Sequence, residues 1–164
     1  MFGQGSLISL SCDSMSEVRK SALVGYSAER IFDLIEGAEH YPAFLPWCAA
    51  ATILERDEQV VSARIAIAYH GIHFHFVTRN LKRRPEFLAV HLESGPFHHF
   101  EGEWHLASLA ADACRIDFAL RYQFHSAVMA KLAGPILDRM ANAVVDAFIK
   151  RAARVYGAET KRGG

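Results

Sequence analysis

Apolar and polar residues alternate with a period of two through the middle of the chain, a pattern typical of strands with one buried face. Six segments carry this pattern, at 52–55, 60–69, 72–78, 87–93, 100–106 and 116–124. A further strand, less regular in its alternation, is expected at 17–24. The short polar or glycine-containing turns between the six segments predict an antiparallel meander.

The apolar spacing before the meander predicts a short helix. Ser27 can cap a helix over 28–36 by accepting a backbone N–H, and Gly37 can end it. Prolines 42 and 46 then exclude a regular helix or a central strand from the connector at 40–48.

A long amphipathic helix is predicted after Ser126 and as far as Tyr156. Gly134-Pro135 is expected to kink or restart it. The residues predicted to form its buried stripe are Val128, Met129, Leu132, Ile136, Met140, Val144, Phe148 and Val155.

One helix and one sheet suggest a two-layer α+β fold, a curved seven-stranded antiparallel sheet around the C-terminal helix. With 164 residues the chain fits one domain, expected at 15–157. Residues 1–14 lack the features of a secretory signal and are expected to be a flexible leader, with Met15 as an alternative start. Residues 158–164 are expected to be a flexible tail.

The balance of charge argues against a protein that acts only by coating phosphates, because 18 basic residues face 18 acidic ones. Residues 126–164 are nevertheless basic, with seven Lys or Arg and three Asp or Glu. This excess fits either a solvated helix face or a surface for anionic lipid head groups or RNA. The candidate phosphate contacts are Lys82, Arg83, Arg84, Lys150, Arg151 and Arg154.

Three cysteines without a C-x-x-C motif indicate a reduced, intracellular protein without a disulfide framework. No apolar run reaches the roughly 18–20 residues of a membrane span. A cytoplasmic location is therefore expected, including one peripheral to the inner face of the membrane.

Aromatic side chains are concentrated on the predicted inner face, where they form either a filled core or the lining of a cavity for an apolar ligand. Arg79 and Asn80 lie where a strand approaches its turn, and they can pin the strand end or meet a ligand head group. The candidate ligand-binding residues are Phe32, Phe44, Trp47, Phe74, Phe76, Phe97, Trp104, Leu120, Tyr122, Val144 and Phe148.

The sequence motifs give little support to a metal site or to a catalytic site. Nine histidines occur without H-E-x-x-H, and His73 and His75 alternate to the face opposite Phe74 and Phe76, so no metal site is expected. The acidic and basic residues of the later strands also alternate to the polar face, which disfavours a desolvated acid–base pair. These residues are Glu101, Glu103, Asp117 and Arg121. We therefore expect no catalytic residue, no enzymatic activity and no cofactor.

Several motifs follow one another between residues 18 and 157. They are Tyr41-Pro42-x-Phe44-Leu45-Pro46-Trp47-Cys48, Thr78-Arg79-Asn80, Gly95-Pro96-Phe97, Gly102-x-Trp104 and Phe148-x-x-Arg151-Ala152. In this order they resemble the coenzyme Q-binding protein family, which includes the bacterial ribosome-association toxins. That family belongs to the START-like, polyketide cyclase/lipid transport superfamily.

The resemblance implies the helix-grip fold with an apolar cavity. It implies binding of ubiquinone or a similar polyprenyl lipid in support of respiratory electron transport. It also implies, as an alternative, a toxin that binds the large ribosomal subunit and blocks subunit joining. A polyketide cyclase-like enzyme is a third hypothesis, against which the missing acid–base pair argues.

Overall fold

A seven-stranded antiparallel sheet forms the larger layer of the computed structural model, which describes the backbone of residues 15–163 and the side chains of residues 15–157. The strand order is β1-β7-β6-β5-β4-β3-β2, so the opening strand pairs with the last one. The strands are β1 (Ser16–Val24), β2 (Cys48–Arg56), β3 (Val60–Tyr69), β4 (Ile72–Arg83), β5 (Phe87–Ser94), β6 (Phe97–Ala110) and β7 (Ala113–Phe124). The predicted meander and its opening strand are confirmed, with longer strands than the alternation alone marked.

The register places the apolar positions of neighbouring strands on the same face of the sheet. Ile65 of β3 lies opposite Phe76 of β4, while His73 and His75 project from the other face and are exposed, as predicted. Gly95, in the turn before β6, has a φ of 151°, and a Cβ there would lie 2.6 Å from the Cβ of Phe76. Glycine is therefore required at 95 for the turn to pack against Phe76.

The first helix, α1 (Ala28–Glu36), follows the sequence signals closely. The Ser27 hydroxyl accepts a hydrogen bond from the backbone N–H of Arg30 at 3.2 Å, and Gly37 is the C-cap. Its apolar face is buried at Ile31, Phe32 and Ile35. The proline-containing connector begins with a 3-10 helix at Ala38–Ala43.

The long helix α2 (Ala127–Gly163) forms the second layer. The Ser126 hydroxyl accepts the N–H of Met129 at 3.0 Å, as expected for a cap. The restart predicted at Gly134-Pro135 does not occur, since the helix is continuous through Pro135. The helix also passes Tyr156 and includes 158–163, so those residues extend the helix, while their flexibility stays a prediction.

The buried stripe of α2 differs in phase from the predicted one. Val128, Leu132 and Val155 are exposed, although they were expected to face the sheet. The residues that are buried include three alanines, because small side chains allow the helix to lie close to the sheet. They are Ala133, Leu137, Met140, Ala141, Val145, Phe148 and Ala152.

Candidate functional site

An apolar cavity of about 160 Å³ lies between the inner face of the sheet and α2. The helix packs most closely on β1 and β7, and the cavity lies where it covers the middle strands. Strands β3 to β7 supply the floor, α2 supplies the roof, and the 3-10 helix with its following loop supplies one wall. The lining residues are Ala38, Tyr41, Trp47, Ala63, Ile65, Ile67, Phe76, Thr78, Asn80, Val90, Phe100, Gly102, Trp104, Phe118, Leu120, Leu137, Met140, Ala141, Val144 and Phe148.

Gly102 leaves the centre of the cavity-lining sheet face without a side chain. It lies between Val90 and Leu120 in the register of β5, β6 and β7, and it contributes no side chain to a face otherwise covered by large ones. A Cβ at 102 would lie 3.6 Å from Val90 Cβ and 3.4 Å from the Ala119 carbonyl oxygen, which is ordinary contact. Because backbone packing does not demand glycine there, its effect is to leave room above the sheet.

The polar groups in the lining are few, and one of them has no partner. The side-chain Oδ1 of Asn80 is buried and accepts no hydrogen bond from the described residues, while the neighbouring inward residue Thr78 is buried as well. Arg79 points to the other face and pairs with Glu55 at 2.9 Å. Of the two residues considered for a head group, only Asn80 therefore lines the cavity, and the role of Arg79 stays a prediction.

Aromatic rings close the wall beside α2. Phe148 makes edge contacts with Tyr41, Phe44 and Trp104, at centroid distances of 5.5, 5.2 and 5.2 Å. The Tyr41 hydroxyl donates to the backbone carbonyl of Ile35, and burial raises the pKa of Tyr41 far above its ordinary value. The wall is therefore uncharged and fixed to the end of α1.

The cavity contains six of the eleven candidate ligand-binding residues, and their contact with a ligand stays a prediction. These six are Trp47, Phe76, Trp104, Leu120, Val144 and Phe148. The other five do not line it. Phe32 is on the buried face of α1, Phe44 contacts Phe148 in the aromatic wall but does not line the cavity, and Phe74 and Phe97 pack on Phe124 at one end of the sheet. Tyr122 donates from its hydroxyl to the Gly134 carbonyl at 3.2 Å and so holds α2.

Several lining residues escaped the sequence prediction because they are small or aliphatic rather than aromatic. Ala63, Ile65 and Ile67 share the inward face of β3, which the alternation did indicate. Leu137 and Ala141 could have been found only from the correct helical phase of α2. Phe100 and Phe118 are aromatic and also line the cavity, although they were not among the candidate ligand-binding residues.

Lys82, near the end of β4, and Arg84, in the turn that follows, pair with acidic residues of α1. The Lys82 side chain is 5% exposed, and its ammonium lies 2.7 Å from Glu36. Arg84 pairs with Asp33 at 2.5 Å, and Arg83 lies over the ring of Phe87. Phosphate contact by these three residues stays a prediction, and at Lys82 it competes with the carboxylate partner that a buried ammonium needs.

The basic residues of α2 border a second concavity, which we call the outer groove. It runs between the loop after the 3-10 helix and the C-terminal half of α2, and Trp47 lines both the groove and the cavity. The residues of the outer groove are Pro42, Ala43, Phe44, Leu45, Pro46, Trp47, Ala143, Asp146, Ala147, Lys150, Arg151 and Arg154.

The acidic residues considered for catalysis lie outside the cavity and are held by partners. Glu101 contacts His99 at 2.8 Å and Arg121 at 3.5 Å, and these contacts lower its pKa. Asp117 accepts a hydrogen bond from Ser21 at 2.7 Å, which likewise lowers its pKa.

Within residues 15–157 no three His, Cys, Asp or Glu side chains form a group that could hold a metal ion. No helix in the described part of the chain is long and apolar enough to span a membrane.

Comparison with known proteins connects this geometry to a family. The family model for polyketide cyclase/dehydrase and lipid transport proteins matches residues 24–149. The ribosome association toxin RatA of Pseudomonas aeruginosa is 34% identical over 142 residues, which cover 87% of this chain and 99% of that protein. The mitochondrial coenzyme Q-binding protein COQ10 homolog B of Xenopus laevis is 27% identical over 145 residues, 86% of this chain and 59% of that protein.

A solved structure shows the same fold at lower identity. The Zhui aromatase/cyclase of a Streptomyces species superposes with a TM-score of 0.75 at 17% identity, over 86% of this chain and 95% of the other. The helix-grip architecture implied by the sequence motifs is therefore confirmed. The chain belongs to the polyketide cyclase/dehydrase and lipid transport family, and its relatives there include ribosome association toxins and coenzyme Q-binding proteins.

Proposed function

We propose that this protein is a non-catalytic binding protein for ubiquinone or a similar polyprenyl lipid, which it holds in the cavity under α2. The observation that carries the proposal is an apolar cavity with one buried, unpartnered polar atom, Asn80 Oδ1. Each Å² of apolar ligand surface removed from water contributes about 25 cal/mol. An unpaired buried acceptor costs about 1–3 kcal/mol, and a ligand hydroxyl that donates to it removes that cost.

The volume of the cavity limits which part of the ligand it takes. At about 160 Å³ it is smaller than the roughly 300–1,000 Å³ of pockets that enclose drug-sized ligands. The cavity therefore holds the substituted quinone ring, and a long isoprenoid tail extends out of the cavity. A reduced quinone ring carries hydroxyl donors that suit Asn80 Oδ1, so the reduced form is expected to bind more tightly than the oxidised form.

The composition of the lining supports binding rather than catalysis. The cavity-lining residues of the described chain include no Asp, Glu, His, Lys or Arg, so the lining offers no pair of side chains to exchange a proton near neutral pH. The relatives reported above carry names of binding or toxin proteins, whereas the structural neighbour is an aromatase/cyclase. A role in support of respiration, close to the inner face of the membrane, is part of this proposal, and its support is the coenzyme Q binding named for that relative.

The test is a titration of detergent-solubilised quinone with three variants, alongside native mass spectrometry of protein purified from its host. Phe148→Asp places an unpaired charge in the aromatic wall and is expected to abolish binding. Leu132→Asp makes the same change at an exposed site on the same helix and is expected to bind normally. Asn80→Leu is expected to stabilise the protein, since it removes the unpaired acceptor, and to weaken binding of the reduced ring.

Two results would overturn the proposal. One is the absence of any quinone, or other polyprenyl lipid, both in the native mass spectrum and in the detergent titration. The other is unchanged affinity in folded Phe148→Asp and Asn80→Leu proteins, which would place any bound ligand outside the cavity.

A second candidate function is association with the ribosome. It is favoured by the 34% identity to the ribosome association toxin over nearly its whole length, and by the basic C-terminal half of α2. Binding to RNA phosphates releases counterions and weakens steeply with salt, whereas uptake into an apolar cavity does not. Sedimentation with ribosomal subunits at low and high salt is the measurement. Absence of the protein from the large-subunit fraction at low salt would contradict this candidate.

A further inference from the structure

The outer groove combines positive charge with apolar walls. Lys150, Arg151 and Arg154 project from one side of α2, and Asp146 is the acidic residue among the groove residues. Asp146 lies 3.5 Å from Lys150, both side chains being largely exposed, so the ion pair is weak. The groove therefore carries two positive charges in excess, at the edge of a wall made by the loop at 42–47.

Arg151 is the most constrained of these cations. Its guanidinium lies over the ring of Phe44, with 5.1 Å between Cζ and the ring centroid. Its Nε is buried and has no hydrogen-bond partner among the side chains and backbone groups that the structure describes. Stacking on an aromatic ring fixes the planar fork of an arginine, and such a fork matches the oxygens of a phosphate group. Arg151 is therefore held in a fixed orientation at the groove, and no carboxylate among the described residues pairs with it.

The wall opposite α2 indicates which kind of phosphate fits. Pro42, Ala43 and Pro46 are exposed and apolar, so they favour a ligand with hydrocarbon next to its phosphate. RNA carries no such hydrocarbon, and proteins that recognise single-stranded RNA usually stack its bases on aromatic faces. The face of Phe44 is covered by Arg151, and its edges contact Tyr41 and Phe148. Charge and apolar surface together therefore suit a lipid head group better than a nucleotide.

We propose that the outer groove binds the phosphate of an anionic phospholipid and docks the protein on a bilayer, with Arg151 on the phosphate and the loop at 42–47 against the acyl chains. Docking of this kind places Trp47, which lines both the groove and the cavity, at the lipid surface. The site is distinct from the cavity, so the inference stands whether or not the cavity ligand is a quinone.

The test is co-sedimentation of the full chain with phosphatidylcholine vesicles, with and without phosphatidylglycerol. Binding is expected only when phosphatidylglycerol is present. Arg151→Gln with Arg154→Gln is expected to weaken it about 25-fold, since each cation near an anionic surface contributes about fivefold. The matched control is Lys131→Gln with Arg139→Gln, which removes the same net charge from exposed positions of α2 outside the groove. The control is expected to weaken binding to these vesicles by about threefold or less.

Three further measurements separate the alternatives. Inorganic phosphate, compared with chloride at equal ionic strength, is expected not to displace vesicle-bound protein, and full displacement would overturn the membrane assignment in favour of a free-phosphate site. Equal losses of vesicle binding in the two double variants would mean that the groove contributes only through general surface charge, and this result would overturn the proposal. Loss of binding to a single-stranded RNA homopolymer in the groove variant, with vesicle binding unchanged, would assign the groove to RNA. Quinone titration in detergent is expected to be unaffected by either double variant, so this proposal and the proposed function fail separately.

Discussion

A larger side chain on the α2 side of the cavity directly tests whether the cavity is the space in which a ligand binds. Ala141 is buried on α2 and lines the cavity. Ala141→Leu adds three methylene equivalents, which contribute about 0.8 kcal/mol each when buried, or roughly 2.4 kcal/mol in total. The cavity of about 160 Å³ leaves room for three added carbons, so the expected gain is the transfer of these carbons out of water alone. Helix propensity barely changes between alanine and leucine.

The assay pairs thermal unfolding with quinone titration in detergent. A gain of about 2.4 kcal/mol corresponds to a rise in Tm of about 5–10 °C for a domain of this size. The same side chain occupies the space of the ligand ring, so quinone affinity is expected to fall about 100-fold or more. Ala153→Leu, at an exposed position on the same helix, is the control, with stability within about 0.5 kcal/mol of the parent and unchanged binding.

Either of two results would refute this reasoning. A loss of stability in Ala141→Leu would mean that the space cannot accept three carbons and is therefore not a void of the stated size. A stabilised variant that binds quinone as tightly as the parent would mean that the void and the ligand site are different places.

Two further predictions concern the ion pairs that fix the 3-10 helix and α1 to the sheet. Arg56 donates to Glu39 at 2.7 Å and lowers the pKa of that carboxyl to about 2, so the pair stabilises the protein fully above about pH 4.5 and is lost as the pH falls towards 2. Urea unfolding of Arg56→Leu across this range is expected to show a shallower acid loss of stability, and an unchanged slope would contradict the assignment. Glu36→Gln leaves the buried Lys82 ammonium without its carboxylate and is expected to cost about 3 kcal/mol in urea unfolding. Adding Lys82→Met is expected to restore most of that loss, and a double variant no more stable than Glu36→Gln would show that the pair is not the cause.

The architecture was predictable because strand alternation and turn residues are local signals. Val60–Tyr69 was predicted at its exact bounds, and Ser27 was correctly identified as a cap, since each depends only on neighbouring residues. The pairing of the first strand with the last was not predicted. Nothing within 16–24 specifies 113–124 as its partner.

The boundary between core and cavity was not predictable, because both are made of the same residue types. Phe74 and Phe76 lie two apart on one face of β4, yet only Phe76 reaches the cavity, while Phe74 packs on Phe97 and Phe124. The phase of α2 was misjudged for a related reason. Large apolar residues at 128 and 132 outweighed alanines in the pattern, whereas close packing against the sheet selects the alanines. Lys82 looked like a free surface cation because its partner, Glu36, is 46 residues away.

The pairing of β1 with β7 has a consequence for the order in which the protein assembles. Hairpins between neighbouring segments can close β2 to β7 early, since their partners are near in sequence. The edge strand β1 has to wait for residues about 100 positions later, and the roof of the cavity comes from residues 137–148, later still. During synthesis the emerging meander therefore exposes its aromatic inner face until the C-terminal helix leaves the ribosome. The cavity is complete only when residues up to 148 have been made, so chains that stop before the helix have no binding site and expose a surface prone to aggregation.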